Sequence, residues 1–141
     1  MILDDEVLIN KVIWKKKNVG ATNEYDLGSE KKYEDAICPG GYRMPTIEEW
    51  ESLVDNHSWQ SEGNYCGYWC SGEQKYSNSV PAVFIPARAL DHTYYWSITL
   101  DHGTRYKSMG FKNGGSGIDS SYNEDETISA NQHVRCVRDL R

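Results

Sequence analysis

Between Asp91 and Asn123 the chain mixes aromatic anchors with adaptable polar groups: His92, Tyr94, Asp101, His102 and Arg105, then Tyr106, Lys112, Asn113, Tyr122 and Asn123. Tyrosine offers a large, rigid contact area at little entropic cost, and His, Asn, Asp and Lys supply hydrogen bonds that adjust to a partner, so the window has the composition of a binding surface. A tyrosine-rich hairpin that only covers a core would look the same. Other reactive side chains are scattered. His57, His92, His102 and His133 form no pair in sequence, and Ser97 and Ser108 lack the glycine-flanked elbow of a nucleophile. Gly114-Gly115-Ser116-Gly117 neither closely follows a buried strand nor opens a helix, so it reads as a hinge rather than a phosphate loop. No catalytic set assembles, and the expectation is a non-enzyme without a cofactor. His57, Cys66 and Cys70 hint at zinc but lack a fourth ligand and any paired CxxC spacing, so no metal is expected. Glu124-Asp125-Glu126 reads as an acidic solvated loop before it reads as a calcium site.

The elements that must position these residues follow from turn chemistry and hydrophobic period. Gly40 to Val54 (GGYRMPTIEEWESLV) has the sharpest signal: Thr46 and Glu49 stand at capping-box spacing and predict a helix from Ile47. Ile47, Trp50, Leu53 and Val54 then share one face. Val7 to Trp14 reads as a strand closed by a turn at Asn18 to Thr22. Lys15-Lys16-Lys17 beside it reads as a solvated edge that discourages aggregation. Glu24 to Ala36 suggests a short helix, broken by Cys38-Pro39-Gly40-Gly41. Asn56 to Ser79 reads as loop with one short strand near Tyr68 and Trp69. Val83 to Ala87 is a brief strand closed by Pro86. Tyr94 to Leu100 alternates, with Trp96, Ile98 and Leu100 facing the core, and turns through Asp101-His102-Gly103 into a partner strand from Thr104 to Phe111. Lys112 to Ala130 reads as a long loop. His133 to Arg138 ends the pattern as a strand with Val134 and Cys136 inward.

Composition sets the outer limits. The 141 residues amount to one domain, 38% of them apolar, with a mean hydropathy of −0.72. Fifteen basic against twenty-one acidic residues give a net charge of −6, which disfavours nucleic acid as a partner, because phosphate binding needs a concentrated positive field. No segment is apolar enough to insert in a membrane, and the start, MILDDEVLIN, has acids where an export signal carries positive charge. Ten Tyr and five Trp stand against two Phe, a surplus suited either to half-buried core edges or to recognition.

Several runs taken in order carry a resemblance: Trp14 with Asn18 to Ala21 (NVGA), CPGGYRMPTIEEWESL (Cys38 to Leu53), VFIPA (Val83 to Ala87), YYWSIT (Tyr94 to Thr99) and HVRCVRD (His133 to Asp139). Together they resemble the Fibrobacter succinogenes major paralogous domain, common in surface proteins of gut Bacteroidetes and similar in fold to the formylglycine-generating-enzyme branch of C-type lectin-like domains. The resemblance spans nearly the whole chain, and residues 1–141 are read as one domain. It implies a single α+β domain of twisted antiparallel strands with one or two short helices, long surface loops and adjacent termini. A bridge between Cys38 and Cys136 is what such domains commonly carry; in a reducing compartment the pair would be buried thiols. The reactive cysteine pair of the oxidase and the calcium motifs of sugar-binding lectins have no counterpart here.

The resemblance thus implies a ligand- or receptor-binding module, adhesin-like, displayed on a cell surface or phage particle and meeting a protein or glycan receptor. It extends to phage-tail and bacterial proteins diversified by retroelements, whose varied positions favour the residue types plentiful between Asp91 and Asn123. The competing expectation is a structural domain of a surface or pilus-like assembly. A degenerate enzyme of the formylglycine-generating type ranks last.

Overall fold

The computed structural model describes residues 1–62, 64–113 and 119–140, with residues 62, 113 and 119–125 described by their backbone alone. Among the described residues it is an α+β arrangement of three antiparallel three-stranded sheets and one α-helix.

The single strand expected over Val7 to Trp14 is a hairpin, β1 (Glu6–Ile9) and β2 (Val12–Asn18). Asn10 and Lys11 turn it with φ of 52° and 68°, the left-handed pair whose twist matches that of the flanking strands. β2 also pairs with β9 (Arg135–Asp139), so the order is β1-β2-β9. The lysine run therefore does not guard an edge. It occupies a register jump in the middle strand between Trp14 and Asn18. There Lys15 is held by Asp5 at 2.8 Å and lies 4.6 Å from the centre of the Tyr42 ring.

The helix expected before Ala36 shrinks to one 3₁₀ turn, Tyr33–Asp35. Side chains upstream claim the backbone donors a helix would use: Asp26 accepts from the amides of Thr22 and Gly28, and Asn23 from that of Tyr25. The central helix α1 (Ile47–Val54) forms as its spacing predicts. Thr46 accepts from Glu49 N at 3.1 Å while Glu49 Oε1 accepts from Thr46 N at 2.9 Å. Ile47, Trp50, Leu53 and Val54 are its buried residues.

Where a loop is expected after α1, β3 (His57–Glu62) and β4 (Tyr65–Cys70) form a second hairpin, joined by β5 (Val83–Pro86). The polar residues Ser58 and Gln60 hide β3 from a reading by apolar period.

The third sheet is β6 (His92–His102), β7 (Arg105–Asn113) and β8 (Asp119–Thr127). Its turn is Gly103-Thr104, because His102 pairs with Arg105. Ile98 and Leu100 do not follow Trp96 inward: they are 37% and 54% exposed. Between the pairs Trp96↔Ser108 and Leu100↔Tyr106, β6 carries three residues against one, a bulge that breaks the two-residue period. The bulge is anchored on the start of α1: Ile98 N donates to Pro45 O, and Ile47 N to Thr99 Oγ1, both at 2.9 Å.

Much of the loop expected over Lys112 to Ala130 is strand, since β8 pairs with β7 from Asp119 to Thr127. The hinge reading of Gly114 to Gly117 lies outside the described residues. Glu124 to Glu126 belong to β8 rather than to a loop. Val134, just ahead of β9, and Cys136 within it are buried as expected, and so are Arg135 and Val137. The strand's neighbourhood is therefore covered on both faces.

The larger of two buried clusters among the described residues unites the elements. Trp14, Trp50, Tyr68, Tyr95, Phe111 and Val137 belong to a single buried cluster drawn from all three sheets and α1. Trp14 and Tyr95 sit 5.0 and 5.1 Å from Trp50, centre to centre, close to the tilted and edge-on geometries aromatic pairs prefer. Among the described residues no helix is long and apolar enough to cross a membrane.

Candidate functional site

The ten residues singled out between Asp91 and Asn123 fall on one sheet but not at one place. β6 and β7 run antiparallel from the His92↔Lys112 pair to the turn at Gly103, a span of roughly 25–30 Å at the usual rise per strand residue. At the far end His92 is exposed, its ring lying 5.9 Å from that of Tyr94 and nearly parallel to it. Lys112 is exposed opposite His92. Asn113 pairs with Asp119, Tyr122 with Gly110 and Asn123 with Met109; the side chains of these three lie outside the described residues.

At the turn end, Asp101 Oδ2 meets His102 Nδ1 at 2.7 Å and Asp101 Oδ1 meets Lys107 Nζ at 3.5 Å. Arg105, half-buried, stands opposite His102 and Thr127. Tyr106 is not a free anchor. Its ring stacks on Tyr33 at 3.8 Å, and Tyr33 packs edge-on against the buried Trp96 at 5.4 Å. Burial, and after it the hydrogen bond with Tyr106, pushes the Tyr33 phenol up to about 12.

Sequence reasoning misses the exposure of large aliphatic side chains at the turn end. Ile98, Leu100 and Ile128 are 37, 54 and 37% exposed. Leu100 stands opposite Tyr106, and Ile128 N donates to Thr104 O beside the turn. Clean alternation pointed Ile98 and Leu100 inward, and only the bulge reveals them.

Cys66 and Cys70 lie four positions apart on β4, about 13 Å along a strand, so they cannot share one metal ion. Cys66 Sγ donates to Ala87 O at 2.9 Å and Cys70 is buried. Among the described residues no group of His, Cys, Asp and Glu is arranged to hold a metal. Ser97 donates to Lys107 O and Ser108 is buried, so neither hydroxyl is presented as a nucleophile. His133 is buried, with Nε2 3.2 Å from Arg88 Nη2. Burial, then the Arg88 charge, holds its pKa below the usual imidazole value. Its Nε2 therefore accepts from Arg88, and the ring is neutral.

The motif residues outside this sheet serve the frame. Arg43 forks onto both oxygens of Glu49 at 2.7 and 2.8 Å and reaches Asp139 at 2.7 Å, tying the helix start to β9. Trp50 Nε1 donates to Trp96 O at 3.1 Å. Arg135 donates to Asn18 Oδ1, Lys15 O and Phe84 O. Cys38 and Cys136 form a disulfide across a sequence separation of 98.

Comparison with protein-family models, with curated proteins and with solved structures gives no significant match. The site therefore rests on its own geometry.

Proposed function

We propose that the chain is a non-enzymatic binding module with a C-type lectin-like fold, displayed on a cell surface or particle, that meets a receptor with the turn end of β6 and β7. The observation behind this reading is the pair Ile98 and Leu100, large aliphatic side chains held in solvent on a bulge bolted to the start of α1. A rigid stage presenting apolar side chains among Asp101, His102 and Arg105 has the make-up of an interface centre with a polar rim. Cys38–Cys136 fits a protein that works in an oxidising compartment.

The test is a screen of the isolated chain against protein and glycan receptors, followed by titration of variants. Leu100→Ser and Arg105→Ala should each weaken binding at least ~10-fold, or ~1.4 kcal/mol, with little change in melting temperature. Tyr106→Ala should instead lower stability, because its ring packs on Tyr33. A protein receptor whose affinity ignores both turn variants would sink the placement.

The structural-domain reading draws on one feature, the edge position of β8 in its sheet, since an edge strand can add a strand from another subunit. Concentration-dependent self-association without any receptor would favour it.

A further inference from the structure

The outer face of the β3–β4–β5 sheet is built unlike a solvated face. Strand alternation places Ser58, Gln60, Tyr65, Gly67, Trp69 and Phe84 there among the described side chains, none of them charged at neutral pH. Among the described residues no helix or second sheet covers them; two tyrosines from loops, Tyr25 and Tyr76, come over instead. Ring centres step from Tyr65 to Tyr25 to Trp69 to Tyr76 by 5.7, 6.4 and 6.2 Å, the last pair within 15° of parallel. Tyr65 is 44% exposed, and Tyr25, Trp69 and Tyr76 are half-buried.

The strip is fixed in place. Asn23 and Asp26 spend their side chains on the amides of Tyr25, Thr22 and Gly28, which holds Tyr25 with its ring 5.1 Å from that of Phe84. Gly67 lets Phe84 lie close, since a Cβ there would stand 2.9 Å from its ring and 2.4 Å from Ile85 O. Trp69 Nε1 donates to Gln60 Oε1 at 2.6 Å, which sets the amide at the edge of the indole.

We infer that this strip is a binding site for a neutral glycan, with sugar rings lying on Tyr65, Trp69 and Tyr76. A pyranose offers an apolar C–H face to an aromatic ring and hydroxyls around its rim to amides and phenols, and the strip supplies both in alternation. None of the described strand side chains on this face is basic, so it gives no grip to phosphate or acidic polymers. The face belongs to a different sheet from the β6–β7 turn, so either assignment can fail alone.

Affinity electrophoresis of the full chain tests it, in gels containing soluble β-glucan, xylan or galactomannan, with polygalacturonate as the acidic control. Retardation is expected in at least one neutral gel and not in polygalacturonate. Tyr65→Ala and Tyr76→Ala should each weaken it about 10-fold or more with unchanged melting, while Arg105→Ala at the turn leaves it intact. Trp69→Ala should abolish it but also disturbs Phe84, so the two tyrosine variants decide. Free migration in every neutral gel, or retardation that survives the double tyrosine variant, would overturn the assignment. So would sedimentation showing that Tyr65 and Tyr76 bury a contact between two copies of the chain.

Discussion

Arg135 carries its charge into the core and donates there to a side-chain amide oxygen and two backbone carbonyls, at 2.7 to 2.8 Å. Burial pulls its pKa down to about 10, so it is still a cation at neutral pH. Its three partners lie on β2 and β5, and the guanidinium fork thereby locks two sheets together. Arg135→Ala leaves those acceptors dry and unpaired and should cost about 3–5 kcal/mol in urea unfolding. Lysine should not restore it, because a point charge cannot serve three directions as a planar fork does. Glu6 is a second ion with a defined job. Arg138 holds both its oxygens at 2.8 Å and the Tyr42 hydroxyl donates to it as well. The Arg138 hydrogen bond is the largest cause that brings its pKa from 4.5 down to about 2. With the folded value below the unfolded one, this ion's contribution is complete above about pH 4.5 and is lost as pH falls toward 2. Glu6→Gln should flatten the stability profile across that window, as read by melting temperature against pH; an unchanged acid slope would show that other carboxylates set it.

At the scale of elements, the β1–β2 turn strains itself. Lys11 holds φ of 68° with a side chain that pays for it. Lys11→Gly should stabilise the protein by up to about 1 kcal/mol in chemical unfolding, since glycine reaches that conformation freely. A loss instead would mean that the lysine side chain makes a compensating contact. The same turn shows why some elements can be read in the chain and others cannot. α1 is legible because its cap, acids and apolar face all lie within a dozen residues and need no neighbour. Asn10-Lys11 lacks the glycine that would announce a turn, so VLINKVIW passes for one strand. β8 exists because β7 offers it a partner, not through propensity, and its polar sequence reads as loop. The β6 bulge depends on Pro45 and Thr99 meeting in space, which no local pattern encodes. For the same reason the composition window found the right sheet but merged its two ends, and the row from Tyr65 to Tyr76 stayed hidden in a stretch without period.

Across the whole molecule, the chain is closed on itself from both directions. β9 pairs beside β2, Arg138 donates to Met1 O at 2.6 Å, and Arg43 joins the start of α1 to Asp139. The Cys38–Cys136 bond adds a covalent tie to the same region, with Cα atoms 5.9 Å apart and 98 positions between them. In the chain-entropy account a loop of that size loses enough freedom when unfolded to give about 4.7 kcal/mol, against a usual range of about 2–5 kcal/mol for removing a native bridge. The noncovalent ties around it act on the folded state, whereas the bridge acts mainly on the unfolded one, so the two contributions should be separable. Mass spectrometry of an unreduced, alkylated digest should show Cys38 joined to Cys136, with Cys66 and Cys70 alkylated singly. Adding reductant to the native protein should lower the melting temperature by roughly 10 °C, the equivalent of a few kcal/mol for a chain of this size. A shift of only a degree or two would mean that residual structure already confines the unfolded chain, so that the bridge removes little further freedom from it.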